Sequence, residues 1–236
     1  MNLYDHLVLI PGMLCDQRQW QYQQEFFRSK CQSVYVADTT RGDSIEQIAK
    51  QVFERAPKSF ALAGLSMGGI IAFEMWRQAP ERISRLAVLD TNASMETVER
   101  GEARSKLLQR ALMGELMEVM AESLKPQYLA KQNQDNQELL DTIMKMAIDL
   151  GEKVFEKQVK AVAGRADSIP TLKTISVPTL VLCGEEDSLC PVSFHEAIAD
   201  QIPNAQLAVI KNCGHLSTME QPNLVNQELE LWLNAA

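Results

Sequence analysis

The chain has 236 residues, long enough for one sizeable α/β core with an insertion and too short for two comfortable domains. A formal charge of -8 at pH 7 argues against nucleic-acid and membrane partners, which would need clustered Lys and Arg. Cys15, Cys31, Cys183, Cys190 and Cys213 lack C-x-x-C spacing, and no apolar run reaches signal or membrane-spanning length, so the chain reads as cytoplasmic.

In chain order, short apolar runs alternate with longer helical patterns. Strands are predicted at Leu7 to Ile10, Val34 to Val36, Phe60 to Leu65, Leu86 to Leu89, Thr179 to Leu182 and Leu207 to Ile210. Helices are predicted at Asp16 to Phe27, Ser44 to Arg55, Ser66 to Gln78, Phe194 to Ile202 and Pro222 to Leu233. Near-continuous apolar strands alternating with helices imply an α/β fold, a doubly wound, mostly parallel sheet of about six strands. The rhythm breaks between about Thr91 and Ile175, where only helical sequence such as Leu107 to Leu124 and Leu139 to Val162 is found. The expected division is a core of residues 1–90 and 176–236 with a helical cap of residues 91–175. Because the insertion follows a strand's carboxyl end, where open α/β sheets bind ligands, it is read as a lid.

The most informative stretch is Gly64-Leu65-Ser66-Met67-Gly68, between an apolar strand and an apolar helix. This G-x-S-x-G spacing is that of a nucleophile elbow. Glycines flanking a tight strand-to-helix turn let neighbouring backbone pass while the serine stands exposed. It lacks the lysine of a P-loop and the third glycine of a dinucleotide fingerprint, so no phosphate role is assigned.

A serine hydroxyl becomes a useful nucleophile when a neutral imidazole accepts its proton and a carboxylate holds that imidazole in the right tautomer. Of the three histidines, His6 precedes the first strand and His195 falls within a helical pattern; both are read as ordinary polar residues. His215, in a loop beyond the last strand, is the candidate base. Asp187, in the loop after Thr179 to Leu182, is the candidate acid. Its rivals are Glu185, Glu186 and Asp90, the last read as capping the start of the insertion. Ser66, Asp187 and His215 follow one another in the order expected of this triad on a parallel scaffold.

Negative charge on the attacked carbonyl oxygen calls for aimed donors. The Met67 N–H, just after the nucleophile, is one candidate, and Met13 in the loop Pro11 to Asp16 is the other. No metal or organic cofactor is called for by the histidine spacing.

These four motifs, Leu7 to Met13, Gly64 to Gly69, Val177 to Asp187 and Asn212 to His215 with Glu220-Gln221-Pro222, resemble those of the α/β-hydrolase superfamily. The likeness spans nearly the whole chain and is to the small single-domain esterase, lactonase and carbon–carbon hydrolase branch. It implies the α/β-hydrolase fold and a Ser-His-Asp serine hydrolase. Two departures stand out. Pro11-Gly12 occupies the place where many relatives have His-Gly, and only six residues precede Leu7 where relatives usually begin with an antiparallel pair, so about six strands are expected, with Asn2 to Tyr4 adding a fragment.

The expected reaction is cleavage of a small-molecule carboxylic ester, lactone or thioester through an acyl-enzyme. Carbon–carbon hydrolysis or elimination on the same triad is the alternative, and a hydrolase-fold binding protein with little turnover the third reading. Met113, Met117, Met120, Met144 and Met146 in the insertion are weighed first as adaptable core filler and second as pocket lining. Arg104, Arg110 and Arg165 leave acidic substrates open. Oligomeric state and physiological substrate are not legible.

Overall fold

A computed structural model describes residues 4 and 6–235 of the chain. Its sheet comprises β1 (Leu7–Ile10), β2 (Val34–Val36), β3 (Phe60–Leu65), β4 (Ile83–Leu89), β5 (Thr179–Gly184) and β6 (Ala205–Ile210). The helices are α1 (Gln21–Phe27), α2 (Ile45–Arg55), α3 (Met67–Gln78), α4 (Val98–Arg110), α5 (Leu116–Val119), α6 (Lys125–Tyr128), α7 (Gln137–Ala163), α8 (Ile169–Leu172), α9 (Val192–Ala199), α10 (Ser217–Glu220) and α11 (Pro222–Asn234). All five strand pairings are parallel, in the order β2-β1-β3-β4-β5-β6. Of the leading segment, Tyr4 makes a parallel bridge to Cys31, while Asn2 and Leu3 lie outside the described residues.

The central strands are buried on both faces, which is why they read as unbroken apolar runs. Alternate residues serve opposite layers. Leu7, Leu9, Ala61, Ala63 and Leu65 pack with Trp20, Phe27, Leu229 and Trp232, whereas Val8, Ile10, Phe60 and Leu62 pack with Ile48, Val52, Ile71 and Phe73. Each fully buried side chain of the size of Phe27 or Phe73 contributes about 1.5–3 kcal/mol. Helix α2 shows the logic of its layer: Ser44 caps it by accepting from Gln47 N, and Ile45, Ile48, Ala49 and Val52 fall on one buried face.

Strand order reverses at β1, which pairs with β2 on one side and β3 on the other. The carboxyl ends at such a reversal splay apart and leave a crevice. Here Ile10 pairs with Gly64, bringing the loop after β1 beside the turn after β3. That turn is crowded enough to explain its glycines: a Cβ on Gly64 would stand 2.2 Å from the Gly68 carbonyl oxygen, and one on Gly68 2.1 Å from that of Ile10.

Between β4 and β5 the chain is helical, as its pattern predicts, but neither long stretch is one straight helix. The pattern Leu107 to Leu124 breaks at Gly114, with φ 94°, inside a π-helical turn at Ala111–Glu115. Helix α7 bends at Gly151, with φ 75° and ψ 174°. Glycine adopts these angles without the steric penalty other residues would meet. Met120 and Met146 are buried and Met144 packs against the same core, whereas Met113 and Met117 are exposed, so pocket lining is assigned to none of the five.

Candidate active site

Loops at the carboxyl edge of the sheet carry every candidate residue. Ser66 turns the chain from β3 into α3 at φ 56° and ψ -116°, and its carbonyl accepts the first helical bonds from Gly69 N and Ile70 N. Among the described residues, the other non-glycine positions with positive φ are Leu14, Asp90 and Asn212, in the loops after β1, β4 and β6. Backbone strain of this kind costs about 1–3 kcal/mol per residue and persists where surrounding bonds over-determine it. Its concentration at one sheet edge marks that edge as the place where geometry outweighs local stability.

His215 Nε2 lies 2.8 Å from Ser66 Oγ, and its Nδ1 lies 2.8 Å from Asp187 Oδ2. The other Asp187 oxygen, Oδ1, accepts from Leu189 N and Cys190 N. Burial by itself would raise the Asp187 pKa, but His215 and these two amides outweigh it and hold the carboxyl below its usual range. Burial by itself would lower the His215 pKa, but the charge and hydrogen bond of Asp187 outweigh it and hold the imidazole above 6.5. With the Nδ1 proton directed at Asp187, neutral Nε2 is free to accept the proton of Ser66.

The rivals are placed elsewhere. Glu185 is exposed, and Glu186 Oε2 accepts from Lys131 N. Asp90 does not cap the insertion, since Thr97 caps α4. It is fully buried, with Oδ1 accepting from Gly184 N and Oδ2 from both Ser217 N and Ser217 Oγ, so it ties the acid loop to the histidine loop. Burial, then the charge of Asp187, pushes its carboxyl well above the usual range. Environment thus separates two neighbouring acids, one favoured ionised and the other neutral. His6 bonds Ser33 Oγ at the surface, and buried His195 accepts from Thr91 N while its Nδ1 faces the Pro191 carbonyl.

Met13 and Met67 both line a cavity of about 320 Å³ together with Ser66 and His215. Their backbone N–H groups take part in no hydrogen bond among the described residues. The Met13 loop is shaped by two glutamines absent from the sequence-based candidates. Gln19 Oε1 accepts from Gly12 N, and Gln158 Oε1 of α7 accepts from Leu14 N while its Nε2 donates to Thr39. Pro11-Gly12 is thus fixed from outside the loop.

Among the described residues, Asp187, Cys190 and His215 are the one set of donors close enough together to hold a metal ion. Burial and the Asp187 charge push the Cys190 thiol well above its ordinary range, and the other two are already bonded to each other. Both Asp187 oxygens are engaged, one by His215 Nδ1 and the other by the Leu189 and Cys190 amides, an arrangement suited to proton transfer.

Residues 29–222 match the family described as "Serine aminopeptidase, S33". The chain belongs to this family of α/β-hydrolases. A 3-oxoadipate enol-lactonase from Acinetobacter baylyi is 24% identical over 229 residues, covering 89% of this chain and 82% of that one. A 2-hydroxy-6-oxononadienedioate/2-hydroxy-6-oxononatrienedioate hydrolase from a Pseudomonas species is 26% identical, covering 81% and 69%. Among solved structures, a malate-bound thermophilic esterase from Thermogutta terrifontis superposes with a TM-score of 0.88 at 26% identity, covering 99% of this chain and 90% of that one. The protein is accordingly a hydrolase, and the α/β-hydrolase fold expected from its motifs is the fold it has. No helix among its described residues is long and apolar enough to cross a membrane.

A pH profile follows for this α/β-hydrolase. If His215 must be neutral to accept a proton, kcat/KM falls as pH drops through its free-enzyme pKa. Because that pKa is raised, the acid limb is expected above pH 6.5 with single-proton slope. Initial rates on a pH-stable ester check this, and an acid limb below pH 6.5 would contradict it.

Proposed function

We propose that the protein cleaves a carboxylic ester of a small molecule, lactones and thioesters included, through an acyl-enzyme on Ser66. His215 takes the Ser66 proton as the hydroxyl attacks the carbonyl, and the Met13 and Met67 amides receive the oxyanion. His215 then protonates the departing alcohol. Water, giving its proton to His215, attacks the acyl-enzyme and releases the acid. Asp187 holds the imidazole in the required tautomer and balances its charge at each transfer.

The observation that carries this reading is the unbroken relay Asp187 Oδ2, His215 Nδ1, His215 Nε2 and Ser66 Oγ, with 2.8 Å at each contact, opening on the cavity. The enol-lactonase and esterase relatives support ester and lactone chemistry, and the 2-hydroxy-6-oxononadienedioate hydrolase keeps carbon–carbon cleavage on the same triad as the second reading. Residues 91–175 act as the lid: Leu107 of α4, Phe155 and Val162 of α7 and nearby Leu124 contribute apolar wall to the same cavity as Ser66.

The test is a panel of p-nitrophenyl esters, acyl thioesters and lactones offered to the purified protein and to Ser66→Ala. Ester and lactone turnover that disappears in the variant is expected. Turnover of no panel member by the folded protein, or turnover that survives Ser66→Ala, would contradict the reading.

A further inference from the structure

One wall of the cavity is cationic. Arg100, Arg104 and Arg165 all line it, although they come from α4 and from the loop after α7. Arg165 has a sufficient structural role. Its side chain is 3% exposed, its Nη1 pairs with Glu96 Oε2 at 2.8 Å, and its Nε donates to Ser94 O at 2.9 Å, pinning this strap to the end of α7.

The other two arginines are not accounted for in that way. Arg104 Nη2 shares the same Glu96 oxygen at 3.1 Å, its Nη1 lies 4.0 Å from Met13 Sδ, and its Nε is buried without a partner. Arg100 has no carboxylate partner among the described residues. Its Nη2 donates to Leu189 O at 2.9 Å, and its guanidinium lies 5.4 Å from the centre of the Phe194 ring. Three guanidiniums against one carboxylate leave two positive charges uncompensated. The two under-used arginines touch the Met13 loop and the Asp187 loop, the two loops that flank the reacting groups.

We propose that the cavity takes an ester or lactone carrying a second, free carboxylate, received by Arg100 and Arg104 while the reactive carbonyl sits at Ser66. The proposal rests on the hydrolase reading above and adds the substrate's charge to it. A guanidinium is always charged and presents a planar fork that matches a carboxylate in two parallel bonds. Leu107 and Phe155 supply apolar wall for the carbon chain between the two ends. A cavity walled by one sign of charge also concentrates substrate of the opposite sign before binding. This matters for a chain whose overall charge of -8 would repel an anion.

The experiment compares kcat/KM for monomethyl glutarate and dimethyl glutarate in the native enzyme, Arg100→Gln, Arg100→Lys and Arg110→Gln. Arg110 pairs with Glu115 and Glu122 outside the cavity and serves as the charge control. The native enzyme is expected to prefer the monoester at least tenfold. Arg100→Gln shrinks that ratio about 10- to 100-fold, the usual effect of losing hydrogen bonds to a charged group. Arg100→Lys falls between them, and Arg110→Gln keeps the native ratio.

Glutarate added to the folded protein provides a readout independent of turnover. It raises the Tm of the native enzyme and not that of Arg100→Gln. Equal or better use of the diester, a ratio unmoved by Arg100→Gln, or no Tm shift with glutarate would overturn the carboxylate subsite while leaving Ser66 chemistry intact. Absence of turnover with both esters, alongside a glutarate shift that depends on Arg100, would instead keep the subsite and count against the hydrolase reading.

Discussion

Replacing Ser66 with alanine is expected to lower kcat on an ester substrate by about a million-fold, the loss seen when the nucleophile of an interdependent triad is removed. At 1.36 kcal/mol per decade this is ~8 kcal/mol of transition-state stabilisation. The fold should survive, because alanine occupies the same backbone at φ 56° and only the Oγ contact with His215 is lost. Ser66→Gly sharpens the prediction. It should be equally inactive but more stable than the native protein by up to about 2 kcal/mol, since relief of about 1–3 kcal/mol of strain outweighs the roughly 0.5–1 kcal/mol that glycine's extra chain entropy costs. Steady-state rates with chemical-denaturation midpoints for both variants read the two effects separately. A glycine variant less stable than the native protein would show that the elbow is not strained.

Asp187→Asn should cost about 10,000-fold in kcat with little change in structure. An asparagine keeps an oxygen for the amides of Leu189 and Cys190 but offers an N–H where His215 Nδ1 now finds a carboxylate. The imidazole would turn to the other tautomer, with its proton on Nε2 facing Ser66 and nothing left to accept a proton. The imidazolium formed during attack would also lose its counter-charge. Pre-steady-state acylation rates at a fixed pH test this directly, and a loss under tenfold would mean that another acid serves His215, Asp90 being the one whose charge acts on it next after that of Asp187.

The parts of this molecule that were legible in the sequence are those set by local pattern. Buried parallel strands announce themselves as apolar runs, and β1, β2 and β3 have the predicted bounds, while β4, β5 and β6 extend by two or three residues at an end. The glycine spacing around Ser66 was legible because backbone crowding there admits nothing larger. Asp187 and His215 could be chosen by position, since loops after successive parallel strands all open on one edge.

What was not legible depends on partners far away in the chain. Gln158 looks like any polar residue of a long helix, yet it meets Leu14, 144 positions earlier, and shapes the loop that Pro11 cannot shape itself. Asp90 ends a strand as a capping acid would, but its partners Gly184 and Ser217 arrive only after the sheet has formed. The bends at Gly114 and Gly151 are hidden in the sequence because apolar periodicity continues across them. Of the arginines marked out by their place in the insertion, Arg104 and Arg165 line the cavity and Arg110 does not, while nothing in the sequence sets Arg100 apart.

The role of Ser66 as the nucleophile of an acyl-enzyme is tested most directly by peptide mapping by mass spectrometry after treatment of the native protein with a fluorophosphonate. One adduct per chain is expected, located on Ser66, formed more slowly at pH values below the His215 pKa and absent from the unfolded protein. An adduct on any other residue, or a folded protein that resists labelling at pH 8, would contradict it.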